Sequence, residues 1–362
     1  MNKILYWLVC LIVFSIPVLA QTPQDDINLE VFDAKSGNVS YVKIDKSLHK
    51  IPGKKPSAKT TPSPLINNGY IPRISEKYPW SSYNIRLQTI IGEPDFEQQV
   101  SNRFPYSATV FLERRIDSDY ISVCSGAMVG EYTVLTAAHC VLKNAGLRND
   151  GTVVNPHEIS AYVGGHRSRI EAKGINIFIP EKARKTRNIF TAMANDYAII
   201  LLDKPLGRQK GYFGVEESSV AVGDRIVVLG FPDPREYTTY NPHQSVGKVL
   251  EVKKNFIYHD ADALHGSSGG PTLKEENLEN IIGVVVEEKN KYNVSCRPAD
   301  NTLISFVAKY RQETPYASPE WLHQYKEKQQ SEIINKIKYP NQTATPLPGV
   351  PDRIRQAMRN NH

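Results

Sequence analysis

Cysteine is scarce in this chain of 362 residues, which contains only four. None of them forms a closely spaced pair of the kind that binds zinc. The segment HEISA, residues 157–161, lacks the second histidine that a zinc-protease helix requires, and no glycine-rich phosphate-binding loop is present. We therefore expect neither a metal nor a cofactor, which excludes metal-dependent and nucleotide-dependent enzyme classes.

Long apolar runs are also rare, and the one that approaches a membrane span lies at the N-terminus. Residues 1–20, MNKILYWLVCLIVFSIPVLA, have one early lysine, then an apolar run, and end on Ala20 before a polar segment. This order is typical of a cleaved secretory signal peptide. A retained anchor is the alternative, although a span needs about 20 uninterrupted apolar residues. We expect a secreted protein, extracellular or periplasmic, with no membrane span once the signal is removed.

Removal of the signal peptide would leave three cysteines, Cys124, Cys140 and Cys296. Export permits a disulfide, and three cysteines allow one bond with one thiol left over. Cys124 and Cys140 are close in sequence and flank a strand-like run, so we predict that they form the bond. Cys296 is then a buried inert thiol, or it is free or bonded outside the chain.

The net positive charge of six is unevenly distributed along the chain. Residues 90–308 contain 24 Lys and Arg against 27 Asp and Glu, whereas the regions on both sides are basic. A nucleic-acid-binding domain concentrates positive charge on its folded surface. We therefore expect no nucleic-acid partner. The basic flanks either bind an acidic surface weakly or keep mobile segments solvated.

Composition divides the mature chain into three regions. Residues 21–89 are rich in Pro, Ser, Lys and Asn and cannot fold alone, so we interpret them as a propeptide or a disordered arm. Residues 90–310 contain short apolar runs, from SATVFLE to NTLISFVAKY, which predict the strands of an all-β barrel or sandwich. Residues 311–362 contain a helical pattern after Pro319 and then a basic tail.

The segment GSSGGP, residues 266–271, has the composition of a tight turn that carries a reactive hydroxyl. Glycines on both sides of the serine pair leave room for backbone N–H groups to approach one point. The N–H groups of Gly266 and Ser268 could hold the negative oxygen of a tetrahedral intermediate beside the Ser268 hydroxyl. Taken alone, such a segment is more often an ordinary turn.

Two further segments carry the groups that a serine nucleophile needs. LTAAHC ends a strand-like run with His139, and histidine is the side chain that titrates near neutrality and serves as a base. NDYAIILLD places Asp196 at the entrance of an apolar strand, where a carboxylate needs a partner. A structural histidine and a strand cap are the alternatives. The order of His139, Asp196 and Ser268 along the chain favours catalysis.

LTAAHC, NDYAII and GSSGGP together resemble the three signature segments of chymotrypsin-like serine peptidases. The resemblance covers about residues 90–310 and implies two six-stranded antiparallel β-barrels, with the active site between them. It implies a catalytic triad of His139, Asp196 and Ser268 acting on protein or peptide substrates. It also places Cys124 and Cys140 where the family has a disulfide beside the catalytic histidine.

Other segments resemble the bacterial glutamyl endopeptidase branch of that family. They are IIGEPD at 90–95, VLGFP at 228–232 and YHDADALHGSSGGP at 258–271. The digestive enzymes have an aspartate just before the nucleophile, which pairs with the new amino terminus after activation, but Ser267 stands there in this chain. The usual ion-pair switch is therefore absent, although a zymogen cut between Arg86 and Ile91 still fits.

The resemblance leaves the residue preference of the enzyme open. Asp262, six residues before the nucleophile, stands where trypsin-like enzymes hold the carboxylate that binds Arg or Lys, although the glutamyl endopeptidase branch has an aspartate there without that use. Val285, which we expect to line the pocket, stands near the position where that branch has the histidine that helps it bind glutamate, and Ala263 replaces its usual threonine. A glutamate preference is therefore not expected. His265 borders the pocket or is a satisfied surface histidine.

We predict a monomeric serine endopeptidase with a C-terminal helix and flexible flanks. A secreted, non-catalytic binding protein on the same scaffold is the competing hypothesis. A scaffold freed from catalysis has no physical reason to keep all three triad groups, which favours the enzyme.

Overall fold

The structure is a computed structural model that describes residues 28–56, 91, 96–99, 102–115, 121–143, 151–163, 170–217, 219–233, 241–289 and 291–311. The chain divides into two units, residues 1–312 and 313–362, and every described residue belongs to the first. The predicted signal peptide, the predicted helix after Pro319 and the basic tail lie outside the described residues.

Strands predominate in the described part of the chain, which has seventeen strands and four short α-helices. The strands are β1 (Asn28–Asp33), β2 (Val39–Lys43), β3 (Lys50–Ile51), β4 (Glu97–Gln98), β5 (Thr109–Arg115), β6 (Ile121–Met128), β7 (Thr133–Thr136), β8 (Ile159–Val163), β9 (Glu171–Pro180), β10 (Ala198–Leu202), β11 (Gly214–Glu216), β12 (Arg225–Gly230), β13 (His243–Lys253), β14 (Phe256–His259), β15 (Pro271–Lys274), β16 (Asn277–Lys289) and β17 (Tyr292–Cys296). The helices are α1 (Glu181–Lys185), α2 (Ile189–Met193), α3 (Leu206–Lys210) and α4 (Thr302–Arg311).

Strands β5 to β10 close into the first barrel. Their order is β10, β7, β6, β5, β8 and β9, all pairs are antiparallel, and β9 pairs back onto β10. The sequences of β8 and β10, ISAYV and AIILL, are buried along their whole length, which explains why they are continuous apolar runs rather than alternating ones. Closure leaves this barrel without an open sheet edge.

Strands β12 to β17 close into the second barrel. Their order is β15, β12, β13, β14, β17 and β16, again antiparallel, with β15 pairing back onto β16. Strand β13 alternates between buried and more exposed residues over its first half, as expected for a strand with one face on a core. The predicted pair of six-stranded antiparallel barrels is confirmed. The barrel core contains Ile226, Val228, Val249, Ile257, Ala261, Ala263, Ile282 and Val285.

Residues 28–56 differ from the expectation of a disordered arm, because they add strands to both barrels. Strand β1 pairs with β9 of the first barrel and with β2, and β3 pairs with β11, which lies beside β16 of the second. Val31 and Val42 are buried. These strands have too few apolar residues for a core of their own, but they complete cores that the barrels supply.

The segment NTLISFVAKY was predicted to be a strand, and that prediction is wrong, because it forms most of α4. Leu303, Phe306, Val307 and Tyr310 are spaced three and four residues apart and are all buried, so they lie on one helix face. Tyr310 stacks on Phe178 of β9. In the described residues no helix, this one included, has the length and hydropathy to cross a membrane.

Candidate active site

His139 and Asp196 lie on two neighbouring elements of the first barrel. His139 belongs to a single 3-10 turn, Ala138–Val141, directly after β7, and Asp196 lies just before β10, which pairs with β7. The Asp196 carboxylate accepts a hydrogen bond from His139 Nδ1 at 2.7 Å and another from the His139 backbone N–H at 2.8 Å. Because a carboxylate only accepts, Nδ1 carries the proton, and Nε2 of the neutral ring is left as the basic atom.

The surroundings of His139 favour its protonated form. Burial lowers the pKa of His139, but the negative charge of Asp196 and their hydrogen bond raise it by more, so the pKa lies above its ordinary value of 6.5. The charge of Glu287 adds to this rise in pKa, and that of Arg114 opposes it. A quarter of the His139 side chain is still exposed. The imidazole is therefore a base that operates above its raised pKa.

A disulfide holds the turn of His139. Cys124 of β6 bonds to Cys140, the residue after the histidine, with 6.1 Å between the Cα atoms. Both sulfurs and a ring nitrogen of His139 lie within 4.8 Å of one another. The two sulfurs are bonded to each other, so they offer no thiolate to a metal. Cys296 is a buried free thiol, and burial raises its pKa well above the ordinary value.

The turn that follows Ser268 packs directly against the first barrel. Gly269 has φ +85°, and a Cβ added to it would lie 2.2 Å from Thr136 Oγ1 and 2.3 Å from the Ser125 carbonyl oxygen. Only glycine fits there. The Ser125 N–H donates to the Ser268 carbonyl at 2.8 Å. These contacts bring the turn at Ser268 to the end of β7, three residues before His139.

The two predicted oxyanion donors, Gly266 and Ser268, lie in one tight turn. Gly266 has φ +97°, a left-handed conformation that favours glycine. Within the part of the chain that the structure describes, neither the Gly266 N–H nor the Ser268 N–H donates a hydrogen bond. Unsatisfied N–H groups in one turn can donate hydrogen bonds to a developing negative charge and stabilise it.

Ser267, which replaces the family's aspartate, closes the turn through neutral contacts. Its side chain is buried, and its Oγ accepts the Leu264 N–H at 3.3 Å. Its own N–H donates to the Leu264 carbonyl at 2.8 Å. The loop before the nucleophile therefore holds its shape without an ion pair at this position.

Sequence reasoning missed Ser125, which connects the first barrel to the oxyanion loop. Its buried Oγ donates to the Gly266 carbonyl at 2.8 Å and accepts the Phe231 N–H at 2.8 Å. Successive side chains of a strand point to opposite faces. Since Cys124 contacts the histidine turn, a polar residue next to it in β6 was the available signal for a contact on the other side.

Asp233 was also missed, and it is the partner of His265. His265 Nδ1 lies 3.0 Å from Asp233 Oδ2, and the Asp233 N–H donates to the His265 carbonyl at 2.6 Å. The Asp233 side chain is 1% exposed and that of His265 is 25% exposed. The His265 ring is therefore partly exposed and held by a buried carboxylate, and its place at the border of the substrate pocket stays a prediction. The two residues are 32 positions apart, and no local sequence pattern links them.

Asp262 is placed deeper than a substrate-binding carboxylate was expected to be. Its side chain has no exposed surface, and its Oδ1 accepts the Ile91 N–H at 2.7 Å. Its backbone N–H donates to Ser245 Oγ at 2.6 Å. The Asp262 carboxylate therefore binds the backbone of Ile91, which lies near the start of the predicted peptidase region.

Val285 was predicted to line the pocket, but its side chain belongs to the core of the second barrel. It has no exposed surface, because the strand presents it inward beside Ile257 and Ala263. The backbone of Val285 does touch the site. Its N–H donates to the Gly270 carbonyl at 3.0 Å, and its carbonyl accepts the Gly269 N–H at 2.8 Å.

The chain is similar to known proteins over its two barrels. A sequence model of the trypsin family matches residues 94–303. The chain is 29% identical over 196 residues to a glutamyl endopeptidase of Bacillus licheniformis, which covers 53% of this chain and 56% of that protein. It is 26% identical over 195 residues to a glutamyl endopeptidase of Staphylococcus epidermidis, which covers 52% and 63%. The chain therefore spans less than two thirds of each relative.

A solved structure of a Glu endopeptidase in complex with MPD is similar in fold. It superposes with a TM-score of 0.53 at 19% identity, and the match covers 62% of this chain and 100% of that one.

Proposed function

Because the chain belongs to the trypsin family of serine peptidases, we propose that it is a secreted endopeptidase that hydrolyses peptide bonds through an acyl-enzyme on Ser268. Ser268 Oγ attacks the peptide carbonyl while His139 Nε2 takes its proton. The N–H groups of Gly266 and Ser268 hold the resulting oxyanion. His139 passes the proton to the leaving amine, and water then releases the acyl group by the same steps.

The observation that carries this proposal is the double contact of Asp196 with His139, beside a serine turn packed on the same barrel. Here both the ring and the backbone of His139 are held by one carboxylate, which fixes the tautomer that a general base needs. The unsatisfied N–H groups of Gly266 and Ser268 supply the remaining part of an acyl-transfer site.

The test is hydrolysis of a mixed peptide library by the full chain expressed for export, with S268A as the control. We expect wild-type cleavage products, a rate that falls by about 10⁶ in S268A, and an unchanged circular dichroism spectrum. Equal cleavage by both proteins would mean that a contaminating peptidase or another residue is responsible. The same culture tests export, because the proposal requires the protein in the medium or periplasm.

For the residue before the cleaved bond, we propose a preference for Arg or Lys over Glu. Asp262 supplies a buried carboxylate six residues before Ser268, and the charge of Glu287 makes a small addition to the rise in the His139 pKa that Asp196 causes. Negative groups repel a glutamate side chain and favour a cation. The names of the relatives make a glutamate preference the competing hypothesis.

The variant D262N separates these hypotheses, because an asparagine oxygen still accepts the Ile91 N–H while the charge is lost. We expect kcat/KM for Arg and Lys substrates to fall by about tenfold or more, with substrates of neutral side chains changed little. An unchanged Arg-to-Gln preference ratio would exclude Asp262 from recognition. A wild-type preference for Glu would exclude the cationic proposal outright.

The rival function is a secreted binding protein that keeps the scaffold without catalysis. It predicts that the wild-type chain is as inactive as S268A in the library assay while remaining folded. The proposal also takes the active species to be a monomer, which size-exclusion chromatography with light scattering measures.

A further inference from the structure

The orientation of the Gly266 N–H is fixed by a contact on the far side of its own peptide unit. The His265 carbonyl and the Gly266 N–H belong to one planar trans peptide, so they point in opposite directions. The Asp233 N–H donates to the His265 carbonyl at 2.6 Å. Holding that oxygen determines where the Gly266 N–H points.

The same aspartate holds the side chain of that residue. Oδ2 of Asp233 lies 3.0 Å from His265 Nδ1, and the Asp233 side chain is almost completely buried. A buried carboxylate is stable only with a partner, so the imidazole is held as firmly as the aspartate. Two hydrogen bonds between the same two residues resist rotation of the peptide that joins His265 to Gly266.

The next peptide of the loop is held from the same side. Ser125 Oγ donates to the Gly266 carbonyl and accepts the Phe231 N–H, each at 2.8 Å. A Cβ added to Gly266 would lie 2.6 Å from the Phe231 carbonyl oxygen and 2.9 Å from Asp233 N. Residues 231–233 therefore lie against Gly266, and Ser125 connects Phe231 to the peptide that follows this glycine.

Gly266 needs such support, because rotation of the peptides that flank a glycine costs little energy. A rotated His265–Gly266 peptide would turn its carbonyl toward the place of the oxyanion and repel it. We propose that Asp233 and His265 are positioning residues that keep the Gly266 N–H directed at the oxyanion. This inference rests on the proposed peptidase function.

The kinetic test uses D233A, which removes the carboxylate and keeps the backbone N–H. An oxyanion contact is made in the transition state, so its loss lowers kcat and leaves KM nearly unchanged. Loss of one oxyanion donor costs about 10²–10³ in kcat, and a misdirected donor costs less, so we expect about a ten- to a hundredfold fall in kcat for D233A. H265A should behave in the same way.

Conservative variants should restore the rate. In D233N the asparagine oxygen accepts the His265 Nδ1–H, and in H265N the amide nitrogen lies near the position of Nδ1 and donates to Asp233. We expect both to keep kcat within about threefold of the wild type, since each variant keeps a hydrogen bond between the two side chains. The control is D224A, which removes a carboxylate that accepts the Ala221 N–H in an exposed turn and should leave kcat unchanged.

Several results would overturn the proposal. They are a D233A kcat within twofold of the wild type, an equal loss in D224A, or a change confined to KM for particular substrates. The last would make His265 a pocket residue instead.

A second readout does not depend on activity. Crystal structures of S268A and of S268A/D233A should differ in the plane of the His265–Gly266 peptide, and an identical plane would contradict the positioning role of Asp233. If the wild type hydrolyses no peptide, the peptidase proposal fails, while this pair of structures still tests whether Asp233 orients the peptide.

Discussion

Two His–Asp pairs lie in the region of the proposed active site, and they differ in the group that each aspartate holds in place. In each pair Nδ1 of the imidazole contacts a carboxylate, at 2.7 Å for His139 with Asp196 and 3.0 Å for His265 with Asp233. In each, a quarter of the histidine side chain is exposed. Side-chain geometry alone therefore does not distinguish the base from the positioning residue.

The second contact of each pair distinguishes them. In the first pair the aspartate side chain also accepts the backbone N–H of His139, so the carboxylate orients an imidazole that must change its protonation. In the second pair the aspartate backbone donates to the carbonyl of His265, so the pair orients a peptide. The proposed role of each pair therefore depends on whether the aspartate orients an imidazole ring or a backbone peptide.

Replacing each aspartate by asparagine gives the largest contrast. D196N should lower kcat by about 10⁴, because the amide favours the wrong tautomer and does not stabilise an imidazolium. D233N should change kcat little, because its oxygen still accepts from Nδ1–H. Steady-state kinetics on one peptide substrate measures both. A comparable loss in the two variants would mean that the second pair also transfers protons.

Substitution of the glycine on which the second pair acts should have the next largest effect. In G266A the Cβ would collide with the Phe231 carbonyl at φ +97°, so we expect kcat to fall by about 10² or more. G37A is the control, because Gly37 has φ +72° with nothing within 4 Å of an added Cβ. Full activity of G266A would remove the oxyanion role of that residue.

Loss of Ser125, which joins the first barrel to the loop at Gly266, should lower kcat less than G266A does. S125A leaves the Gly266 carbonyl and the Phe231 N–H without their buried partner, at a cost of about 1–3 kcal/mol in unfolding free energy. We expect kcat to fall by about tenfold, since the Asp233 contacts remain. Urea unfolding and kinetics of S125A, with S47A on the exposed surface as the control, measure the two effects separately. Unaltered kcat in S125A would show that the Gly266–Ser267 peptide keeps its orientation without the Ser125 hydrogen bond.

The smallest effect concerns pH. The neutral form of His139 is the base, and the pKa of that residue lies above 6.5, so kcat/KM should fall as the pH drops through a value above 6.5. In D233A the midpoint of this fall should not move. The same raised pKa stabilises the folded chain below pH 6.5, and this contribution is lost as the pH rises through the folded-state value. A midpoint below 6.5 would contradict the charge balance around His139.

The first pair was predictable from the sequence and the second was not. His139, Asp196 and Ser268 each lie in a short segment whose local composition indicates a role. The contact between Asp233 and His265 joins two loops that only the closed second barrel brings together, so no periodicity reveals it. For Ser125 the sequence offers only its place beside Cys124, because its role depends on which face of β6 meets the other barrel.

The errors of the sequence analysis have a related cause. The apolar residues of α4 fit helical spacing, but the segment was interpreted as a strand because it follows a series of short apolar runs that predict strands. Residues 28–56 have too few apolar residues to fold as an independent unit. Composition does not show that such a segment can bury its apolar residues against strands of a neighbouring barrel. Local rules identified the elements of the barrels, whereas contacts between barrels and added strands required the fold.

Reaction with an active-site-directed fluorophosphonate, followed by peptide mass spectrometry, tests the central claim most directly. The account predicts that the exported, folded wild-type chain is labelled on Ser268 and that H139A is labelled at least about 10³ times more slowly, because the serine loses its base. An unlabelled Ser268 in folded wild-type protein, or equal labelling of wild type and H139A, would contradict it.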